Sequence, residues 1–128
     1  MDDVQRRLEA FRTAPEGSYL EEYLGDPRVV PFLVALVADP DAYDLARIEA
    51  MTVLRLWPPA DPAAAGRALA AALRDDEDEV VRQHAAMALE SYAGDAEVRA
   101  VLAAAAEGDD DENVRFNARA ALGRPALE

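Results

Sequence analysis

Residues 76–89 read Asp76-Glu77-Asp78-Glu79-Val80-Val81-Arg82-Gln83-His84-Ala85-Ala86-Met87-Ala88-Leu89. Four of these, Asp76, Arg82, Ala85 and Leu89, define the spacing D-x5-R-x2-A-x3-L. The same spacing occurs upstream as Asp41, Arg47, Ala50 and Leu54, and downstream as Asp109, Arg115, Ala118 and Leu122. The offsets are 35 residues, Arg47 to Arg82, and 33 residues, Arg82 to Arg115. A period of this size marks stacked repeats, in which each unit buries its apolar face against its neighbours.

A second series lies between these sets. Asp26-Pro27, Asp61-Pro62 and Asp95-Ala96 recur, and Asp followed by Pro is a helix-start signal. The helices expected after them run over 27–38, 62–74 and 96–107, with Pro31 able to delay or kink the first. The opening motif occupies the helices expected at 43–56, 78–92 and 111–123. Breakers close each pair: Trp57-Pro58-Pro59, Ala93-Gly94, then Gly123 and Pro125. Repeats are therefore expected at about 26–58, 61–93 and 95–124. Residues 1–25 read as a divergent helical cap, with Asp2 or Asp3 starting a helix that carries Val4, Leu8 and Phe11 on one face. A short second helix follows Gly17-Ser18 with Tyr19, Leu20, Tyr23 and Leu24. The expected fold is all-α, an α-α superhelix of about seven to eight helices in a single domain.

Composition agrees with helices and limits function. Of 128 residues, 29 are Ala, the best helix former. The formal charge is −13, from 26 acids and 13 bases, and every base is Arg. Nucleic-acid binding needs a basic footprint, and no basic cluster beyond Arg6-Arg7 exists, so neither direct nucleic-acid binding nor attachment to an anionic membrane is expected. The absence of Cys excludes disulfides and thiolate chemistry. MDDVQRRLEAF at the start has no long apolar run, so it is not a signal peptide, and a soluble cytoplasmic protein is the expectation.

The tetratricopeptide and ankyrin signatures are missing. Asp76…Val81-Arg82-Gln83-His84-Ala85-Ala86-Met87-Ala88-Leu89 and Asp109…Val114-Arg115-Phe116-Asn117-Ala118-Arg119-Ala120-Ala121-Leu122 resemble HEAT repeats, in the short form also seen in the phycobilisome-lyase-like group. The set Asp41…Ala46-Arg47 to Leu54 is weaker, because Ala46 replaces Val. The resemblance implies a right-handed HEAT/armadillo-like solenoid. It also implies a ladder between neighbouring repeats in which Asp41, Asp76 and Asp109 pair with Arg47, Arg82 and Arg115. These six residues are thus assigned to structure.

Nothing in the chain assembles catalytic chemistry. His84 is the only His, and Ser18 and Ser91 are the only serines, so no base has an evident nucleophile or second ligand. Neither acidic run has the Gly that a calcium loop needs at its sixth position. No metal and no cofactor are expected. Iron-binding HEAT-repeat enzymes carry His-Glu pairs, and no His-Glu dipeptide exists here.

Binding residues are sought on the second helices. Phe116 aligns with Ile48 and Gln83, and one turn on lie Thr52 and Met87. Met51 and Arg119 form a row beside them, and Arg55 and Glu90 a third turn. Such an apolar strip with a charged rim suits a protein-binding groove. The alternative is that Phe116 and Ile48 pack within their own repeats, or that Phe116 covers the C-terminal end. Tyr19, Tyr23 and Trp57 suit packing of the cap better than surface anchoring. The expected function is a non-catalytic adaptor or scaffold with a protein partner. One alternative is an acidic inhibitor that neutralises a basic protein, and another is a small-ligand or tetrapyrrole lyase-like protein.

Overall fold

The computed structural model describes residues 1–16 and 20–123, so the roles expected for Tyr19 and Pro125 lie outside the described residues. Within them the chain is helical, with no strand. Helix α1 covers Asp3–Thr13, and Asp2 caps it by accepting the Gln5 N–H at 2.9 Å. A short 3-10 helix, Leu20–Tyr23, completes the cap region. Phe11 of α1 packs edge-on against Phe32, with ring centroids 6.1 Å apart. Arg12 lies over the Phe32 ring, and Arg7 over the ring of half-buried Tyr23.

Three antiparallel pairs follow: α2 (Val29–Ala38) with α3 (Asp44–Leu56), α4 (Ala63–Asp75) with α5 (Glu79–Ala88), and α6 (Ala96–Gly108) with α7 (Glu112–Ala121). Each helix also packs on its counterpart in the next pair. The result is two layers, α2–α4–α6 and α3–α5–α7, which is the architecture of an α-solenoid. One continuous apolar core runs from Leu8 in α1 to Ala121 in α7. Leu33, Leu69, Leu89 and Leu102 are fully buried in it, and burial of such a side chain contributes about 1.5–3 kcal/mol.

The helix boundaries follow local chemistry. Helix α2 starts at Val29, later than Asp26-Pro27 predicts. This places Pro31 within the first turn, where its missing N–H costs no helical bond. Asp26 instead accepts the Arg28 N–H at 2.9 Å and holds the Arg28 guanidinium at 2.8 and 2.9 Å. Those bonds draw the Asp26 pKa down to about 2. Arg28 also reaches Asp2 at 3.0 Å, tying the start of α1 to the start of α2. Asp78, Asp95 and Asp111 cap α5, α6 and α7 through their side chains.

Helix α5 stops at Ala88, short of the expected residue 92, and continues as a 3-10 helix, Leu89–Tyr92. The tighter winding brings two hydroxyls to the open C-terminal carbonyls of α3. Ser91 Oγ donates to the Arg55 carbonyl and Tyr92 Oη to the Leu54 carbonyl, each at 2.7 Å. Burial pushes the Tyr92 phenol up to about 12. Gly123, at φ 73°, ends α7, a left-handed conformation that favours Gly at this position.

The turns inside the pairs differ. Asp39, Asp76 and Asp109 are the extended residues that end α2, α4 and α6. Each accepts the N–H two residues on: Asp41, Asp78 and Asp111 respectively. Asp39 is therefore the structural counterpart of Asp76 and Asp109, and Asp41 is not. The first turn is two residues longer than the others, so counting back from Arg47 by the common spacing lands on the wrong Asp.

Candidate functional site

The arginines of the repeated motif stitch one pair to the next. Arg47 is 3% exposed; its Nη1 lies 2.7 Å from Asp76 Oδ2, and its Nη2 donates to the Val37 carbonyl at 2.9 Å. Arg47 Nε is buried with no partner among the described residues. Arg82 is partly exposed. It bonds Asp109 at 3.1 and 3.3 Å, Asp110 at 3.1 Å, and the carbonyls of Asp76 and Glu77 at 2.9 and 3.1 Å. Its pKa is raised, because the bond to Asp109 and the charges of Asp109, Asp110 and Asp111 outweigh the lowering by burial, the largest single effect. Each guanidinium thus ties a carbonyl of its own pair's first helix or turn to a carboxylate of the next pair's turn. Two expected members fall outside this scheme. Asp41 is exposed and makes no ion pair among the described residues, because the longer first turn displaces it. Arg115, in the last described pair, bonds the Asp109 main-chain carbonyl at 2.6 Å and no carboxylate among the described residues.

The exposed face of α3, α5 and α7 carries the other residues singled out. Ile48, Thr52 and Arg55 are half-buried on α3, and Thr52 Oγ1 donates back to the Ile48 carbonyl at 3.1 Å. On α5, Gln83 is half-buried and Met87 is 36% exposed, and Glu90, in the 3-10 helix that follows, is exposed. On α7, Phe116 is 54% exposed and Arg119 is half-buried. Gln83 Nε2 donates to Asp111 at 3.0 Å, and Asn117 Nδ2 donates to the Gln83 carbonyl at 3.3 Å, so α5 and α7 are joined across this face. Met51 must be struck from the binding residues. It is 1% exposed, on the side of α3 turned into the core, and its counterpart Ala86 is fully buried.

Sequence reasoning missed one row. Leu45, Val80 and Asn113 lie one turn before Ile48, Gln83 and Phe116, and Val80 is 43% exposed. Extending the same offsets by one turn towards the N-termini finds it. The flanking row is Glu49, His84 and Asn117. The pKa of His84 is lowered by partial burial, with the Glu49 charge opposing, so the neutral imidazole is favoured. Trp57 is 43% exposed at the end of α3. Among the described residues no three His, Cys, Asp or Glu side chains are grouped to hold a metal ion.

An acidic edge borders this face at the N-terminal ends of its helices. The three turns and the helix ends beside them hold Asp39, Asp41 and Asp44, then Asp75 to Glu79, then Glu107 and Asp109 to Glu112. Between the first two turns lies a crevice of about 470 Å³ lined by Asp41, Asp44, Asp75, Glu77, Asp78 and the already paired Arg47–Asp76.

Stacked antiparallel helix pairs, joined by arginines that reach from one pair to the next turn, define a helical-repeat solenoid. Residues 66–127 match the family model described as HEAT repeats, so this part of the chain is similar to HEAT repeats. The match spans α4 to α7 and leaves out the first pair, the one with the longer turn. No curated protein and no solved structure matches the chain. HEAT repeats generally mediate protein–protein interaction, and the family is generally a non-catalytic scaffold. No described helix is long and apolar enough to cross a membrane.

Proposed function

We propose that this chain is a non-catalytic adaptor or scaffold that binds a protein partner on the concave face made by α3, α5 and α7. The observation that carries the reading is the exposure of Val80, Met87 and Phe116, at 43, 36 and 54%, on equivalent faces of neighbouring helices. The described fold gives these large apolar side chains little to pack against. Contiguous exposed apolar surface on a soluble domain is a mark of an interaction site. The half-buried Ile48 and Thr52 extend the strip, and Arg55, Glu90 and Arg119 supply a polar rim. The layered stack holds the strip rigid, so little ordering entropy opposes binding.

The test is an affinity capture from the source lysate with wild type, Met87→Asp and Phe116→Asp, each first shown to unfold cooperatively. A partner retained by wild type and lost by both variants supports the reading. A partner retained by both variants places the binding surface elsewhere.

A further inference from the structure

We propose that the occupant of the α3–α5–α7 face is a cationic segment of the partner protein, with apolar side chains on the Val80–Met87–Phe116 strip and Arg or Lys side chains along the acidic turn edge. This rests on the binding face proposed above and adds the chemistry of what fills it.

The fold already employs many of the carboxylates along this edge. Asp76 and Asp109 receive Arg47 and Arg82, and Asp78 and Asp111 cap helices. Asp75 pairs with Arg74, and Asp110 with Arg82. Five acids on the same edge have no such employment. The side chains of Asp41, Asp44, Glu77, Glu79 and Glu112 form no ion pair or hydrogen bond among the described residues. The helix termini favour negative charge there, but capping alone is already supplied by Asp78 and Asp111. Like charges on adjoining residues lie well within a Debye length of about 8 Å at physiological salt, so their repulsion survives screening. A cation laid along the edge relieves that repulsion.

Position links the edge to the strip. Glu79 precedes Val80 in α5, and Glu112 lies one helical turn before Phe116 in α7. A segment resting on Val80 and Phe116 therefore has carboxylates beside it at the helix N-termini. The crevice of about 470 Å³ between the first two turns, walled by Asp41, Asp44 and Glu77, is a recess for a guanidinium or ammonium group. Its one cationic wall residue among the described residues, Arg47, is already bonded to Asp76. Complementary charge of this kind speeds encounter and fixes register, while the apolar contacts hold the complex.

The probe is a library of random linear peptides displayed on phage and panned on the immobilised full chain. Enriched peptides are synthesised and titrated by fluorescence anisotropy, at low and high salt, against three proteins: wild type, Phe116→Asp and the triple variant Glu77→Gln, Glu79→Gln, Glu112→Gln. Met87→Gln serves as a second face variant should Phe116→Asp fold poorly. The expected peptides combine apolar residues with Arg or Lys. They lose about tenfold or more in affinity in each variant, and their salt dependence falls in the triple variant. Peptides that depend on Phe116 but lack basic residues and ignore the triple variant overturn the cationic occupant and leave the binding face standing. Basic peptides that ignore both face variants show charge attraction alone and overturn both readings. Failure to enrich any peptide above an unrelated helical control also counts against both.

Discussion

Arg47 and Phe116 sit one residue apart in the repeat register, on second helices of the same stack, yet Arg47 is 3% exposed and Phe116 54%. The register that holds Arg47 holds Arg again at 82 and 115; the next register holds Ile48, Gln83 and Phe116. Repetition of a side chain tracks the demands of the adjacent turn: each Arg meets a main-chain carbonyl of its own pair, and Arg47 and Arg82 also meet a carboxylate of the next turn. The next register meets no such shared demand and varies: Ile48 and Gln83 are half-buried, Gln83 bonded to Asp111, and Phe116 stays open. The recurring charged residues therefore belong to the fold, and the surface available for a partner lies beside them.

The sharpest way to break this contrast is to remove the rungs in order of burial. Arg47→Ala leaves Asp76 Oδ2 and the Val37 carbonyl without their guanidinium partner in the interior. Loss of one partner of a buried pair costs about 3–5 kcal/mol, so urea unfolding is expected to show a comparable fall. Arg82 is more solvated and bonded partly to surface oxygens, so Arg82→Ala is expected to cost about 1–3 kcal/mol. Equal losses at the two positions would show that burial does not set the strength of a rung.

A third prediction concerns acid. Asp26 has its folded pKa lowered to about 2 by Arg28, below the ordinary carboxylate value of about 3.9. A depressed carboxylate contributes stability that is present above its unfolded pKa and lost as pH falls through the folded value. Stability should therefore fall between about pH 4 and pH 2, and Asp26→Asn should flatten that slope in urea titrations taken at successive pH values. An unchanged slope would detach the Asp26–Arg28–Asp2 cluster from acid unfolding. The smallest effect among the rungs is expected at Arg115, whose one bond is to a main-chain carbonyl: Arg115→Ala should cost less than about 1 kcal/mol.

Much of this architecture was legible in the chain. The period, the helix pairs and the Asp cap at 95 follow from local propensity and spacing, because capping and periodic burial are short-range demands. Three features were not legible, each for a physical reason. Asp41 satisfies the spacing that Arg47 imposes, but the first turn is longer, and loop length has no periodic signal; Asp39 occupies the equivalent place. Met51 adjoins Thr52 in sequence, and one step along a helix turns a side chain by about 100°, enough to move it from surface to core. The 3-10 end of α5 depends on Tyr92 reaching the Leu54 carbonyl of the preceding pair, a contact between residues 38 apart. For the face, the sequence showed which registers run along the second helices; which of them stay open depended on how adjacent pairs nest.

The most direct single measurement is the equilibrium unfolding of Arg47→Ala and Phe116→Asp side by side with wild type. Arg47→Ala is expected to lose about 3–5 kcal/mol and Phe116→Asp to change by no more than about 0.5 kcal/mol. A loss in Phe116→Asp that matches Arg47→Ala would contradict this expectation, because Phe116 would then be part of what holds the stack together.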